Sequence, residues 1–215
     1  MSTYETLIPT ARTFYAELDA NNKREWWQEN RSPYDKVLKP GAQALLADLA
    51  DPLSGLADAP VKTKLFRPNR DVRFSKDKRP YNTHLHMMWQ LDSGAPQNPV
   101  FFFGIGLDYI TAGVGMMGFD KPVLTNWRKM VDLDADRILG IVSDTEKAGF
   151  KLREPELKRV PSPFDKDHKA EHLLRMKGIT ASQELDADAK LPDALVGTFR
   201  KGWPLNALLL SIAEA

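Results

Sequence analysis

An α+β fold in one domain, a largely antiparallel sheet flanked by N-terminal and C-terminal helices, is what this sequence predicts, and three observations carry the expectation. Apolar residues recur at helical spacing near both ends of the chain, and compact apolar and aromatic runs with β-branched residues cluster in the middle. Helices and strands do not alternate strictly, as a doubly wound parallel fold would require. At 215 residues the whole chain, 1–215, is expected to close around one core without disulfides or metals.

Leu7, Ala11, Phe14, Tyr15 and Leu18 fall on one face of a first helix. Asn21-Asn22 offers a turn and an N-cap for a short segment carrying Trp26 and Trp27. Ser32-Pro33 reads as a cap and first helical position for Tyr34 onward, with a third helix expected to end near Ala50. From Asp51 to Pro60 two prolines, a glycine and two aspartates read as a loop, after which the texture becomes strand-like. His84–Leu91, Pro99–Leu107 and Tyr109–Met117 are the expected antiparallel strands. Pro122 opens a helix with Val123, Trp127, Met130 and Val131 on its face, and residues 135–148 form another. Phe150–Leu152 and Leu173–Ile179 are further candidate strands, and Pro192 and Pro204 each open a terminal helical stretch.

Composition limits the function only weakly. A net charge of +1 gives no general attraction to nucleic acid or membrane. The absence of cysteine removes disulfides, thiolate metal sites and a cysteine nucleophile, and fits a reducing cytoplasm. The sequence shows neither a secretory n-region followed by an apolar stretch nor an apolar run long enough to span a bilayer, so a cytoplasmic protein is expected.

One segment departs from this neutrality. Between Lys62 and Arg79 eight basic residues stand against Asp71 and Asp77. Such a stretch attracts anions, and arginine offers a fork suited to phosphate or carboxylate. The expected site is a basic polar pocket for a small anionic metabolite, with Arg70, Arg73, Ser75, Lys76 and Lys78 binding the ligand. If the protein is an enzyme, Asp71, Tyr81 and His84 are the acid–base candidates. An extended Arg70–Phe74 would turn Val72 and Phe74 toward the core and Asp71 and Arg73 away from it. Two other readings stand beside this one: a non-catalytic module that meets nucleic acid or an acidic protein through the same charges, and a solvated loop whose Arg-Asp pairs merely lock a turn. No cofactor is expected, and the oligomeric state is not legible.

Three motifs point elsewhere and lack context. Gly113-Val114-Gly115-Met116-Met117-Gly118 matches the dinucleotide pattern G-x-G-x-x-G but does not open into a helix within a first βαβ unit, so its glycines are expected to let strands bend or approach closely. His168-Lys169-Ala170-Glu171-His172 matches H-x-x-E-H without a third zinc ligand. His84 and His86 would share one face of a strand, the spacing of a metal pair completed by a carboxylate such as Asp108, although strand histidines more often satisfy a neighbouring polar group. No metal is assigned.

The residues carry a resemblance along nearly the whole chain. Asn21-Asn22-Lys23-Arg24-Glu25-Trp26-Trp27 after Phe14 and Leu18, Arg70 through Lys78 with Pro80-Tyr81 and His84, and the stretch from Gly113 to Gly118 resemble the microbial family called domain of unknown function 2461. Gly149-Phe150, Leu157 through Pro161, Asp167-His168 and Pro204-Leu205-Asn206 are similar to it as well. Lys169 stands where that family usually has proline, and Trp27 where phenylalanine is more usual. The resemblance implies a mixed α/β domain and supplies no substrate, cofactor or catalytic residue.

Overall fold

The computed structural model describes residues 4–215. Among these, α1 (Leu7–Ala20), α2 (Arg24–Asn30) and a π-helical turn (Tyr34–Leu38) lead into α3 (Lys39–Ala57). Strands β1 (Val61–Leu65), β2 (Leu85–Leu91), β3 (Val100–Ile105) and β4 (Ile110–Met116) follow, then α4 (Lys121–Leu133), α5 (Ala135–Lys147), β5 (Lys151–Leu152), α6 (Glu171–Leu174), β6 (Ile179–Glu184) and α7 (Leu191–Ala213). The strands form one antiparallel sheet in the order β1-β2-β3-β4-β6-β5. The single α+β domain flanked by helices is therefore present as expected.

The period-two pattern of β2 decides which face is covered. Leu85, Met87, Trp89 and Leu91 are buried while His86, Met88 and Gln90 alternate with them at intermediate exposure, so one face meets helices and the other stays partly open, as antiparallel sheets permit. α3 and α7 lie on the covered face: the Trp89 indole N–H donates to the carbonyl of Leu46 at 2.9 Å, and Phe199 packs against both Trp89 and Phe101. α4 and α5 pack in turn on α7. On β1 the residues Lys62, Thr63 and Lys64 are all exposed, and lysines on an edge strand discourage pairing with another chain.

Four local expectations are revised. α3 does not end near Ala50 but runs through Pro52 to Ala57, because Leu53 and Ala57 continue its buried face; Asp58, at φ 49°, ends it. Residues 173–179 do not form a strand: α6 occupies part of them and the strand begins at Ile179. Pro192 and Pro204 sit in one helix, where Phe199, Leu205, Leu208, Leu209 and Ile212 keep the segment buried on both sides of Pro204. Asn22 does not cap α2, whose N-cap is Lys23 with no side-chain cap bond; its amide is used elsewhere.

Candidate ligand cleft

β1 and β2 do not stop pairing at the sheet. The Phe66 N–H donates to the carbonyl of His86, Asn69 bridges to Tyr81, the Asn82 N–H donates to Pro68 and the Arg70 N–H to Pro80. Two paired arms thus lead to a tip at residues 71–79. At this tip Phe74 is 96% exposed rather than core-facing. A turn closed by Ser75 N–H to the carbonyl of Val72 replaces the extended Arg70–Phe74.

Most charges of the tip are consumed locally. Arg70 bonds the carboxylate of Asp77 at 2.7 Å and the carbonyl of Arg79 at 3.1 Å. Asp71 is gripped by Arg73, Arg79 joins Asp77 to Asp19 of α1, and Lys78 donates to the carbonyls of Val72 and Arg73. Hydrogen bonds from Arg79 and Arg70 hold the Asp77 carboxyl down at about 2, and those from Arg73 lower that of Asp71. Lys76 makes no side-chain bond among the described residues, and Ser75 contributes only its backbone to the turn. Arg70, Asp71, Arg73, Ser75, Lys76 and Lys78 are thus brought together with each other at the tip. Tyr81 and His84 lie apart from them, on the arms.

Those two residues open onto cavities on either side of the 65–69 arm. The first, about 510 Å³, lies between this arm, α2, the π-helical turn and the start of α3, and includes Trp27, Arg31, Tyr34, Lys39, Arg67 and Tyr81 in its walls. The second, about 500 Å³, is lined by Lys64, Phe66, Arg67, Asn69, Asn82 and His84. Arg67 belongs to both.

Long-range contacts build the first cavity. The Asn22 side-chain amide donates to the carbonyl of Tyr81 at 2.9 Å while its oxygen accepts the Tyr81 N–H at 3.1 Å. This fixes Tyr81 so that its ring stacks on Trp27, centroids 4.5 Å apart, and Trp27 packs in turn on Tyr34. Tyr34 and Tyr81 are 6% and 7% exposed, yet neither hydroxyl has a hydrogen-bond partner among the described residues. Burial, and then Asp35, push the Tyr34 pKa above its ordinary value, which keeps it an O–H donor. Arg31 is tied to Asp35 at 2.6 Å, whereas the side chains of Lys39 and Arg67 make no ion pair or hydrogen bond among the described residues. A cleft with two hydroxyls and two cations that make no hydrogen bond or contact ion pair among the described residues can hold an anion. π-Helical turns recur at functional sites, and here one supplies Tyr34.

The second cavity adjoins a ring cluster on the open sheet face. The rings of His84 and His86 stack with centroids 3.7 Å apart, and His86 Nε2 lies 2.7 Å from the Tyr109 hydroxyl. A Cβ at Gly104 would come within 2.7 Å of the His86 ring, and one at Gly106 within 2.2 Å of Tyr109, so glycines give these rings their place. Burial lowers the His84 pKa; burial and then His84 push His86 down to about 4. Both imidazoles are therefore neutral near pH 7, and His84 can accept a proton.

The tempting motifs resolve into structure. Gly113 and Gly115 lie within β4, where added Cβ atoms would strike Phe102 and the carbonyl of Ile179, consistent with close strand approach. α6 begins only at Glu171, so His168 and His172 do not share one helix, and Glu171 pairs with Arg175. Among the described residues no group of three or more His, Cys, Asp or Glu side chains is arranged to hold a metal ion. Arg67, Lys39, Tyr34 and Trp27 were not marked by sequence alone; Arg67 at least lies in the basic segment, but nothing in the pattern separates it from its paired neighbours.

These features define a two-layer α+β protein with a polar cleft beside the first two strands. The chain belongs to the family domain of unknown function 2461, described as a conserved hypothetical protein, whose family model matches residues 10–209. No curated protein matches it. Two of the blocks that carry the family resemblance, around Asn22–Trp27 and Arg70–Tyr81, meet at the Asn22–Tyr81 clasp. No helix among the described residues is long and apolar enough to cross a membrane.

Proposed function

We propose that this protein binds a small anionic metabolite in the cleft between the 65–69 arm and the π-helical turn, with Arg67 and Lys39 matching its charge and Tyr34 and Tyr81 donating to its oxygens. The observation that carries the reading is the coincidence, in one cavity, of two cations and two hydroxyls of largely buried tyrosines, none of which makes a side-chain hydrogen bond or ion pair among the described residues. Lys39 and Arg67 are exposed cations at the cleft, and an anion can accept from them and from the two hydroxyls together. The tip residues Arg70, Arg73, Lys76 and Lys78 contribute a positive field to the approaching ligand. If turnover occurs, Tyr81 in the first cavity and His84 in the second are the proton-transfer candidates, each sharing its cavity with Arg67.

The test is calorimetric titration and thermal shift with inorganic phosphate, citrate and a panel of phosphorylated metabolites. Saturable binding should appear with at least one, and a ligand at about 100 times its dissociation constant raises stability by roughly 2.7 kcal/mol. Arg67→Ala with Lys39→Ala should abolish the response without unfolding the protein. No response across the panel, or an unchanged one in the double variant, overturns the proposal. A module for nucleic acid predicts instead an oligonucleotide gel shift that weakens steeply with salt.

A further inference from the structure

Phe74 stands at the head of the turn closed by Ser75 and Val72, 96% exposed, and its only ring contact among the described residues is the Arg73 guanidinium 5.9 Å away. An aromatic side chain left in water on a loose loop would be unremarkable. This loop is braced. Asp77 receives Arg70 and Arg79, Arg79 reaches Asp19 on α1, and Lys78 fastens the carbonyls of Val72 and Arg73 directly beside the exposed ring. The ordering that a docking element would otherwise undergo on contact is already built in.

Charge says what such a tip would meet. From Arg70 to Arg79 five basic residues stand against Asp71 and Asp77, and both carboxylates are engaged by arginines. Lys76 is exposed and unpaired. The partner is therefore anionic, with an apolar interior reachable by one ring. The tip residues line neither cavity of the cleft, so a small ligand finds no enclosure here. Single-stranded nucleic acid is held by successive aromatic platforms, and residues 70–79 contain one aromatic side chain. A lipid bilayer needs no complementary pocket, since a single apolar side chain enters the interface while a fringe of cations rests on acidic headgroups.

We propose that the 71–79 tip docks on an anionic lipid surface, with Phe74 entering the interface and Arg73, Lys76 and Lys78 lying on the headgroups. Contact of this size is weak and reversible, and brings the protein to the surface without anchoring it. It is independent of the cleft, since vesicle binding reads the tip and phosphate titration reads the cavity.

Flotation with vesicles of phosphatidylcholine alone and of phosphatidylcholine mixed with phosphatidylglycerol tests it. The full chain should float only with the phosphatidylglycerol vesicles and be released by high salt. Phe74→Ala, at a site with no core contacts, should keep its melting temperature and bind roughly tenfold to a hundredfold more weakly. Lys76→Glu should weaken binding to the acidic vesicles while keeping the fold. Failure of the wild-type chain to float, or undiminished flotation of Phe74→Ala or Lys76→Glu, overturns the proposal. So does a Phe74-dependent gel shift of an oligothymidylate in a protein that ignores vesicles, which would assign the tip to nucleic acid.

Discussion

The side-chain amide of Asn22 is hydrogen-bonded to both the N–H and the carbonyl of Tyr81, closing a gap of 59 residues between the α1–α2 turn and the arm that leads to β2. Neither backbone group of Tyr81 has a ladder partner there, so the clasp both satisfies it and sets the Trp27–Tyr81 stack. Asn22→Ala should destabilise the protein by about 1–3 kcal/mol, the cost of leaving part-buried groups without partners. Asn22→Asp keeps the acceptor but loses the donor and should fall between. Urea denaturation midpoints check this, and a loss below about 0.5 kcal/mol would mean that water replaces the amide.

Two arginines three residues apart should behave oppositely. Arg70, with its side chain 24% exposed, bridges Asp77 and the carbonyl of Arg79, so Arg70→Ala should cost about 1–2 kcal/mol and make residues 71–79 an early cleavage site for trypsin. Arg67→Ala removes no side-chain hydrogen bond or ion pair among the described residues and should change stability by less than about 0.5 kcal/mol. Equal destabilisation by the two would place Arg67 in the framework and not at a ligand.

Within the G-x-G-x-x-G stretch, Gly115 has φ 130° and an added Cβ would lie 2.1 Å from the carbonyl oxygen of Ile179, whereas nothing lies within 4 Å of one at Gly118. Gly115→Ala should therefore cost about 3 kcal/mol or more, since both the backbone and the β4–β6 pairing must shift. Gly118→Ala should be nearly neutral. Thermal melts of the two variants separate a strand glycine from a nucleotide loop.

The depressed pKa of His86 predicts a stability change with pH. Its folded value, about 4, lies below the ordinary 6.5, so the unfolded chain binds more protons between these limits. Stability associated with neutral His86 is present above pH 6.5 and is lost as pH falls toward 4. After allowance for partial exposure this is about 2 kcal/mol. Asp77 and Asp71, held low by their arginines, lose their contribution only at lower pH. Denaturation midpoints at pH 7 and pH 4.5 should converge for His86→Gln and diverge for the wild type. A parallel fall in both proteins would refute the assignment.

The helix faces at both ends and the β2, β3 and β4 runs were legible because burial imposes a period that local sequence must obey. Pro52 and Pro204 misled, since a proline inside a helix is tolerated where buried residues on both sides hold the segment. Charge density at 62–79 was equally plain, but which charges are free was not. Arg70 and Arg73 form ion pairs with Asp77 and Asp71 in the loop, while Arg67, identical in kind, makes no contact ion pair among the described residues. The cleft itself needed Trp27, Tyr34 and Lys39, brought across by the Asn22 clasp, and such distant pairing leaves no local pattern.

α7 covers β4 and also packs against α3, α4 and α5, so elements from both halves of the chain share one late-made helix as their common support. A growing polypeptide can assemble the hairpins of β1 to β4 as they emerge, with α3 already made to cover β1 and β2, but the apolar side of β4 stays bare until residues 191–213 have left the ribosome. During synthesis the nascent sheet therefore depends on chaperones or speed, and a stop codon upstream of Leu205 should yield an insoluble product instead of a smaller working one.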